Sequence, residues 1–319
     1  MQRLPAPLNT IAILGGSGFV GRALANLLQS ADLKIRILTR RRNHARELWT
    51  LPNATCVELD VYATDALTDA LAGCSALVNL VGILNEHGDR GQEFQRVHVT
   101  LTAHALAAAS AAGVPRYVHM SALQAGLDAP SHYLKSRGEA EQLVVAARAL
   151  RTAIVQSSVI FGAEDGLFNR FAPLVRYLPC LPLAGAQARF QPVFVGDVGA
   201  AILAILRNDR LAHGARFELG GPAVWTLRQI VEYTARICGH RCPVLALPSW
   251  LGRWQAEFCE HLPGKPFSRD NWRSLQRDSV VTGPDGLASL GIVPTRIEAV
   301  MPPVLQAARR QREYHAWRR

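Results

Sequence analysis

Short apolar runs alternate with longer helical patterns through the first half of the chain. The runs predict six strands: Ile11–Leu14, Lys34–Thr39, Thr55–Leu59, Ala76–Val81, Tyr117–Met120 and one that opens with Ala153–Gln156. The intervening patterns predict helices from near Phe19, over Asp65–Leu71, over Val97–Ala112 and from near Ser136 to Leu150. Strands that alternate with helices are typical of an α/β fold, a doubly wound parallel sheet with right-handed crossovers.

After residue 160 this alternation loosens, because prolines interrupt the chain. The elements predicted there are an extended Gln191–Val195, a helix Asp197–Leu206 with Asp197 at or near its N-cap, a strand Arg216–Leu219 and a helix Leu227–Cys238. We expect a first domain of residues 1–160 and a smaller C-terminal lobe of residues 161–319 that folds onto the sheet edge. Some segments of this lobe are expected to join the first domain.

The turn after the first predicted strand carries glycines at three-residue spacing. Gly15 lets the chain turn sharply, Gly18 lets the backbone approach a pyrophosphate, and Gly21 lets the next helix lie close on the sheet. The helix N-terminus offers N–H groups and partial positive charge to phosphates. This arrangement is typical of Rossmann dinucleotide-binding domains, and a ligand-free glycine turn is the alternative. The candidate contacts are Gly15, Ser17, Gly18, Phe19, Val20 and Gly21.

The end of the second predicted strand discriminates between two dinucleotides. An acidic residue there would accept a hydrogen bond from the ribose 2′-hydroxyl of NAD, but this strand ends in Thr39, Arg40 and Arg41. A guanidinium pairs bidentately with a 2′-phosphate, so we expect NADP(H), with NAD(H) less favoured. Arg40 is the first candidate contact and Arg41 the second. The alternative is a solvated basic loop, since Arg42 and Arg46 continue the run.

The ends of the third and fourth predicted strands supply further candidate contacts. Asp60 is placed to accept from the adenine amino group, and Val61 to pack against the ring. Leu80, Val81 and Gly82 end the fourth strand, where backbone runs beside the nicotinamide ribose. Each signal is weak alone, but together they follow the glycine turn in the order that a dinucleotide requires.

Two side chains with proton-transfer chemistry follow. Ser121 ends the fifth predicted strand, and Tyr133 lies in SHYLKSRGEAE, which runs into the next helix. With the GxxGxxG turn and the segments RYVHMSA and FVGDV, this layout resembles the extended or atypical branch of the short-chain dehydrogenase/reductase family over residues 9–240. The resemblance implies proton transfer by a Ser, a Tyr and a Lys four residues after the Tyr.

The third member of that set departs from the family pattern. Arg137 stands at the Lys position, while Lys135 points to nearly the opposite side of a helix. A tyrosine phenol has a pKa near ~10 and needs a nearby cation to act as a base. Arg137 supplies charge and ribose contacts, but a guanidinium does not readily pass a proton. Tyr133, Ser121 and Arg137 are therefore the expected catalytic set if the site turns over, and binding residues otherwise.

A narrower resemblance is carried by the runs VIFGAEDGLFNRFAPLVRYLPCLPL, QPVFVGDVGAAI and FELGGP. They resemble bacterial relatives of the NADPH-binding accessory subunit of respiratory complex I, a subunit regarded as binding NADPH structurally. The resemblance implies one set of residues near the nicotinamide and another that closes the lobe. These are Ser157, Ser158 and Val159, and then Phe194, Val195 and Asp197.

Three functions are compatible with these residues. The first is an NADP(H)-dependent oxidoreductase acting on a lipophilic carbonyl or quinone-related compound. The second is a non-catalytic NADPH-binding accessory or regulatory subunit of a respiratory or quinone-linked complex, and the third is a nucleotide-sugar epimerase or dehydratase. Arg137 counts against the third, as does His98, which stands where extended members often carry Asn. The simpler interpretation of His98 is an ordinary surface or core histidine of a helix.

Charge and cysteine content narrow the partners. The net charge is +10, and residues 151–319 contribute +8 of it, with 21 basic and 13 acidic side chains. This suits an anionic membrane surface or a protein complex, and no recognition motif supports nucleic acid. The six cysteines lack zinc-type pairing, so we expect reduced, mostly buried thiols and no metal. No signal peptide or spanning run is visible, so we expect a cytoplasmic protein or one peripheral on the inner face of a membrane.

An aromatic stripe raises the question of membrane contact directly. Trp250, Trp254 and Phe258 fall at four-residue spacing and share one face of a predicted helix. Core packing is the favoured interpretation, and a membrane anchor is the alternative. Tyr314 and Trp317 lie in a basic C-terminus that supports the alternative, because basic residues with aromatics suit an anionic membrane. Its arginines are Arg309, Arg310, Arg312, Arg318 and Arg319.

Overall fold

Seven parallel strands form the largest sheet. A computed structural model describes residues 7–263 and 265–317, without the side chains of residues 308–317. In spatial order the strands are β11 (Ala215–Leu219), β6 (Arg151–Ser157), β5 (Arg116–Ala122), β4 (Ala76–Asn79), β1 (Thr10–Leu14), β2 (Lys34–Thr39) and β3 (Ala54–Glu58). The central β1 is covered on both faces, which explains its uninterrupted apolar run.

Helices join successive strands of this sheet, so the predicted doubly wound Rossmann-type fold is confirmed. They are α1 (Phe19–Ser30), α2 (Thr64–Leu71), α3 (Gln92–Phe94), α4 (Leu101–Ala111), α5 (His132–Ala146) and α7 (Val195–Arg207), with α11 (Gly286–Ser289) packed against β11. A 3₁₀ helix spans Arg42–Thr50, and a π-helix spans Gln95–Thr100 between α3 and α4. Gly113 follows α4 with φ +70°, a left-handed conformation that favours glycine at the C-terminal end of a helix.

The chain divides into two compact units, each made of three stretches. The sheet unit contains residues up to 157, then 196–219 and 283–293. The second unit contains residues 158–195, 220–282 and those from 294 onward. The second unit is built from short paired strands and helices. Its strands are β7 (Ile160–Phe161), β8 (Leu181–Leu183), β9 (Arg189–Phe190), β10 (Val193–Phe194), β12 (Trp225–Thr226) and β13 (Val244–Ala246); its helices are α6 (Phe168–Tyr177), α8 (Leu227–Ile237), α9 (Ser249–Glu260), α10 (Arg269–Ser274) and α12 (Ile297–Trp317).

Several predicted boundaries move, and hydrogen bonds of Asn79 and Ser131 explain two of the shifts. β4 ends at Asn79 rather than Val81, because the Asn79 side chain accepts from the Val81 N–H. α5 begins at His132, several residues before Ser136, because the Ser131 hydroxyl caps it. α7 begins at Val195, so Asp197 lies in its first turn, near the N-cap but not at it.

The prediction that the α9 aromatic stripe packs in the core is wrong. Trp250, Trp254 and Phe258 are all exposed, while the small residues Gly252 and Ala256 are buried. The basic C-terminal cluster lies outside the described side chains, and Arg318 and Arg319 lie outside the described residues altogether. Among the helices described, each is too short or too polar to cross a bilayer.

Candidate functional site

The turn between β1 and α1 is closed by backbone contacts that exclude side chains. Gly15 has φ +79°, and its carbonyl accepts from the Gly18 N–H at 3.0 Å. A Cβ added at Gly21 would lie 2.5 Å from the Gly15 oxygen, and one added at Gly15 would lie 3.0 Å from the Leu80 carbonyl carbon. Glycine is therefore required at both positions, because backbone atoms occupy the space of a side chain.

The same turn fits a dinucleotide. Gly18 is the N-cap of α1 and offers no capping side chain, and a Cβ there would approach a single atom, the Gly15 oxygen, at 3.2 Å. No N-cap side chain therefore covers the first amides of α1, at Phe19 and Val20. Phosphate groups bind at helix N-termini that are open in this way.

Arg22 braces the turn and was missed in the sequence. Its Nη1 donates to the Ser17 carbonyl at 2.6 Å, and its Nε lies 3.2 Å from a carboxylate oxygen of Glu47. Its position directly after Gly21 was the available signal. Because Arg22 sits on the first turn of α1, it also adds positive charge where phosphates would bind.

The basic run after β2 has a fixed backbone and outward side chains. Thr39 Oγ1 accepts from the Arg41 N–H at 3.3 Å, and the Arg42 N–H donates to Glu58 at 2.9 Å. Arg40 and Arg41 are exposed, and neither guanidinium has an ion pair within the described part of the chain. Both are thus available to an incoming phosphate.

The adenine-side candidates differ in exposure. Asp60 is exposed, and its carboxylate accepts from the Tyr62 N–H at 3.0 Å, which holds the turn after β3. Val61 is buried in the core of the sheet unit. Both remain predicted contacts of the adenine.

Arg137 is buried against the carboxyl ends of β4 and β5. Its Nη1 donates to the Met120 carbonyl at 2.9 Å and to the Val81 carbonyl at 3.3 Å. A methyl group added at Gly82 would overlap Nη2. The guanidinium carbon also lies 5.5 Å from the centre of the Tyr133 ring. The residue at the family's Lys position therefore ties two strand ends together.

Tyr133 lies in the first turn of α5 and is half-buried. Its ring meets those of Phe94 and His98 edge-on, with centroids 6.0 Å and 5.6 Å away. Ser121 follows Met120 on β5 and is buried, and its Oγ has no hydrogen-bond partner among the described residues. Arg137 contacts the Tyr133 ring and the Met120 carbonyl next to Ser121, so it lies between Tyr133 and this part of β5.

His98 is a core histidine that connects the loop after β4 to α5. The Ile83 N–H donates to Nε2 at 3.1 Å, so Nδ1 carries the proton and donates to Ser136 Oγ at 2.8 Å. Ser136 in turn donates to the Tyr133 carbonyl at 2.9 Å. Burial, with the Arg137 charge, holds the pKa of His98 far below its ordinary value, so the ring stays neutral as this chain of bonds requires.

His119 was also missed, although its position two residues before Ser121 puts both on one face of β5. It is buried and stacks on Tyr117 with ring centroids 6.2 Å apart. Neither ring nitrogen has a partner among the described residues. Burial, together with the Arg137 charge, lowers the pKa of His119 to about 3.

We expect His119 to make the fold acid-sensitive. The folded chain keeps this ring neutral, while the unfolded chain binds a proton below its ordinary pKa of about 6.5. Stability is therefore full above about pH 6.5 and falls as the pH drops toward 3. His119→Phe should remove about 1.4 kcal/mol per pH unit from the slope of unfolding free energy between about pH 6 and pH 4. Urea unfolding at several pH values measures this slope. An unchanged slope in His119→Phe, or an equal change in the exposed His44→Asn control, would show that His119 is not the cause of the acid sensitivity.

The residues expected beyond β6 belong to different units. Ser158 lies in the second unit, where its hydroxyl donates to the Ser279 carbonyl at 2.7 Å and accepts from the Gln191 N–H at 3.1 Å. Phe194 packs on Phe161 there, with ring centroids 5.7 Å apart. Ser157 ends β6 and Asp197 lies in α7, both in the sheet unit. A nucleotide role for these residues remains a prediction.

Comparisons with known proteins agree on the kind of protein to which this chain is similar. The NAD(P)H-binding family matches residues 15–161. Mitochondrial NADH dehydrogenase [ubiquinone] 1 alpha subcomplex subunit 9 is 30% identical in Mus musculus, over 95% of this chain and 80% of that protein. In Arabidopsis thaliana it is also 30% identical, over 69% of this chain and 56% of that protein, so this chain spans little more than half of the plant relative.

Two further likenesses broaden the comparison. A ceramide reductase of Caulobacter vibrioides is 27% identical, over 75% of this chain and 73% of that protein. The structure of MoeE5 in complex with UDP-glucose and NAD superposes with a TM-score of 0.73 at 18% identity, over 95% of this chain and 99% of that one. The second likeness establishes a shared fold.

Proposed function

We propose that this chain holds NADP(H) as an accessory or regulatory protein and does not turn it over. The chain belongs to the atypical short-chain dehydrogenase/reductase family, which includes NADH dehydrogenase 1 alpha subcomplex subunit 9. It is an NAD(P)-binding protein of the short-chain dehydrogenase/reductase fold. The preference for NADP(H) and the absence of turnover are the proposal, and each rests on particular side chains of the sheet unit.

The residues present would hold each part of the nucleotide. The pyrophosphate would lie on the amides from Ser17 to Val20, and the 2′-phosphate on Arg40 and Arg41. The adenine would lie between Asp60 and Val61, and the nicotinamide ribose beside Leu80–Gly82. A bound nicotinamide supplies hydride chemistry, and the protein supplies the surroundings that permit or prevent its use.

The observation that carries the proposal is that the Arg137 guanidinium already binds backbone carbonyls of the protein. A family site that turns over needs a cation that supports a phenolate and relays its proton. Here the cation is a guanidinium, it is buried, and it donates to the Val81 and Met120 carbonyls. Its effect on the protein is to fix two strand ends, and a guanidinium does not give up a proton in the accessible pH range.

A second candidate is a reductase of a lipophilic ketone. The buried Ser121 hydroxyl, which has no partner among the described residues, favours it, because such a donor could polarise a substrate carbonyl. The likeness to a ceramide reductase adds a lipophilic substrate class. In that case Tyr133 and Ser121 would bind the carbonyl oxygen, and Arg137 would only position them.

Nucleotide titration tests the first part of the proposal. We expect the full chain to bind NADPH more tightly than NADH, and Arg40→Ser with Arg41→Ser to weaken NADPH binding about 10- to 100-fold. NADH affinity should stay within about twofold, since the 2′-phosphate is absent from it. Arg46→Ser, further along the same basic run, is the matched control. Equal affinity for both nucleotides in the unmodified chain would refute the assignment.

A turnover assay separates the two candidates. The NADPH-loaded chain is mixed with a long-chain ketone or a short-tailed quinone, and loss of the reduced-nicotinamide absorbance is followed. We expect no loss above the protein-free rate. Activity that appears only in Arg137→Lys would support the proposal, because it would show that the guanidinium blocks the relay. Activity in the unmodified chain would replace it with the reductase.

A further inference from the structure

Helix α9 of the second unit turns its largest apolar side chains outward. Trp250, Trp254 and Phe258 are 65%, 69% and 70% exposed, and Leu262, which follows the helix, is 40% exposed. The three aromatic residues, termed the aromatic face, recur at four-residue spacing along one side of α9. Bulky apolar side chains left exposed together on one helix mark a contact surface far more often than isolated ones do.

The opposite side of α9 explains why the aromatic face points away from the protein. Gly252 and Ala256 are buried, and the Gly252 position lies close to the Trp272 indole of α10. Gln255 fixes the helix by donating to the Pro182 carbonyl at 2.8 Å and accepting from the Ala184 N–H at 2.9 Å. The helix is thus held by small and polar residues, and its aromatic residues are not needed for its packing.

A basic pocket adjoins this helix. It has a volume of about 300 Å³ and is lined by Arg253, Ala256, Arg269, Trp272 and Arg273. Two of its arginines are paired on the protein side: Arg269 with the buried Glu260 at 2.7 Å, and Arg273 with the buried Asp270 at 3.6 Å.

The third arginine of the pocket is placed differently. Arg253 is exposed and has no ion pair among the described residues. It rises from α9 one residue before Trp254. One guanidinium without an ion pair in the described part of the chain therefore lines the pocket from the residue next to Trp254.

The charge of the whole unit has the same sign. The second unit contains 17 Lys and Arg residues against 9 Asp and Glu, whereas the sheet unit contains 18 against 16. The unit that exposes the aromatic face therefore carries +8 of the chain's net charge of +10. Such charge attracts an anionic lipid surface over about a Debye length, before any contact forms.

We propose that α9 docks this protein on a bilayer that contains anionic phospholipid. The aromatic face lies at the headgroup level, where tryptophan is favoured because its ring is apolar and its N–H is polar. A lipid phosphate binds in the basic pocket, on Arg253 with Arg269 and Arg273. A lipid surface explains both features at once, because it offers an apolar layer and a plane of phosphates side by side. The proposal does not depend on nucleotide turnover.

Vesicle flotation of the full chain tests it. At low salt we expect the protein to float with vesicles of phosphatidylcholine mixed with phosphatidylglycerol, and much less with phosphatidylcholine alone. Raised salt should weaken the binding, since exposed charges are screened. Tryptophan emission should shift to the blue on binding as the indoles leave water. A chain that stays with the soluble fraction on anionic vesicles at low salt overturns the proposal.

Two variants separate the apolar and the electrostatic contributions. Replacing Trp250, Trp254 and Phe258 together by Ser should lower the vesicle partition coefficient about tenfold or more. Arg253→Gln should lower it about fivefold on anionic vesicles and leave phosphatidylcholine unaffected. Trp49→Ser is the matched control, because Trp49 is 49% exposed and lies in the sheet unit. Thermal unfolding of each variant shows that the fold is retained.

Other occupants of the same surface give different results. If glycerol phosphate in solution binds with the vesicle affinity, and the triple serine variant still floats, the pocket is a free-anion site and the proposal fails. If the protein ignores vesicles but self-associates, and the triple variant abolishes the association, the aromatic face is a protein interface and the proposal fails. Equal losses in Trp49→Ser and in the triple variant also overturn it.

Discussion

Gly21→Ala should abolish NADPH binding and destabilise the chain by about 3 kcal/mol. The new Cβ would lie 2.5 Å from the Gly15 oxygen and equally close to Gly16 Cα, so the obstacle is backbone. Relief requires α1 to move away from the turn, which displaces the amides that would bind the pyrophosphate. Urea unfolding measures the first effect, and titration with NADPH measures the second.

A second helical glycine provides the control. A Cβ added at Gly199 in α7 would lie 3.5 Å from Leu27 Cδ2, an ordinary contact. Gly199→Ala should therefore stabilise the chain by up to about 1 kcal/mol, since alanine is the better helix former. If Gly21→Ala bound NADPH like the unmodified chain, the glycine turn would not be the pyrophosphate site.

The second large effect concerns Arg137 and Gly82, whose atoms share one space. Arg137→Ala leaves the Met120 and Val81 carbonyls without their donor and opens a cavity, at a cost of about 3 kcal/mol. Gly82→Ala is destabilising for the opposite reason, because its methyl group would overlap Nη2. In the double variant the methyl group enters space that the guanidinium has left.

We therefore expect the double variant to be at least about 1 kcal/mol more stable than the sum of the single effects predicts. Urea unfolding of all four proteins gives this coupling energy. Lys135→Ala controls for changes in the charge of α5, and it should cost less than about 0.5 kcal/mol because Lys135 is exposed. Additive effects of Arg137→Ala and Gly82→Ala would show that the two groups do not compete for space.

The sheet could be predicted because its signals are local. β2 has the predicted bounds, and the run at Ile11–Leu14 required burial on both faces, which a central parallel strand provides. The glycines after β1 could likewise be placed in a turn between a strand and a helix, because these three elements are adjacent in sequence. Arg40 and Arg41 were predicted as nucleotide contacts from their position directly after β2.

The rest depended on contacts between distant residues. Whether Arg137 is exposed or buried turns on the carbonyls of Val81 and Met120, which periodicity does not reveal. The role of His98 depends on a hydrogen bond from the Ile83 N–H, which lies in the loop after β4 and is distant in sequence. The aromatic stripe of α9 misled because apolar spacing identifies a face but not what covers it, and here Gly252 and Ala256 face the protein instead.

The position of β11 carries a consequence for fragments of this protein. β11 comes from residues 215–219, far along the chain, yet it pairs with β6 at the border of the sheet. A fragment that stops near residue 160 would keep six of the seven strands and leave the β6 ladder open. An open ladder is a template for pairing with other chains, so this fragment should aggregate even though it contains the whole glycine turn.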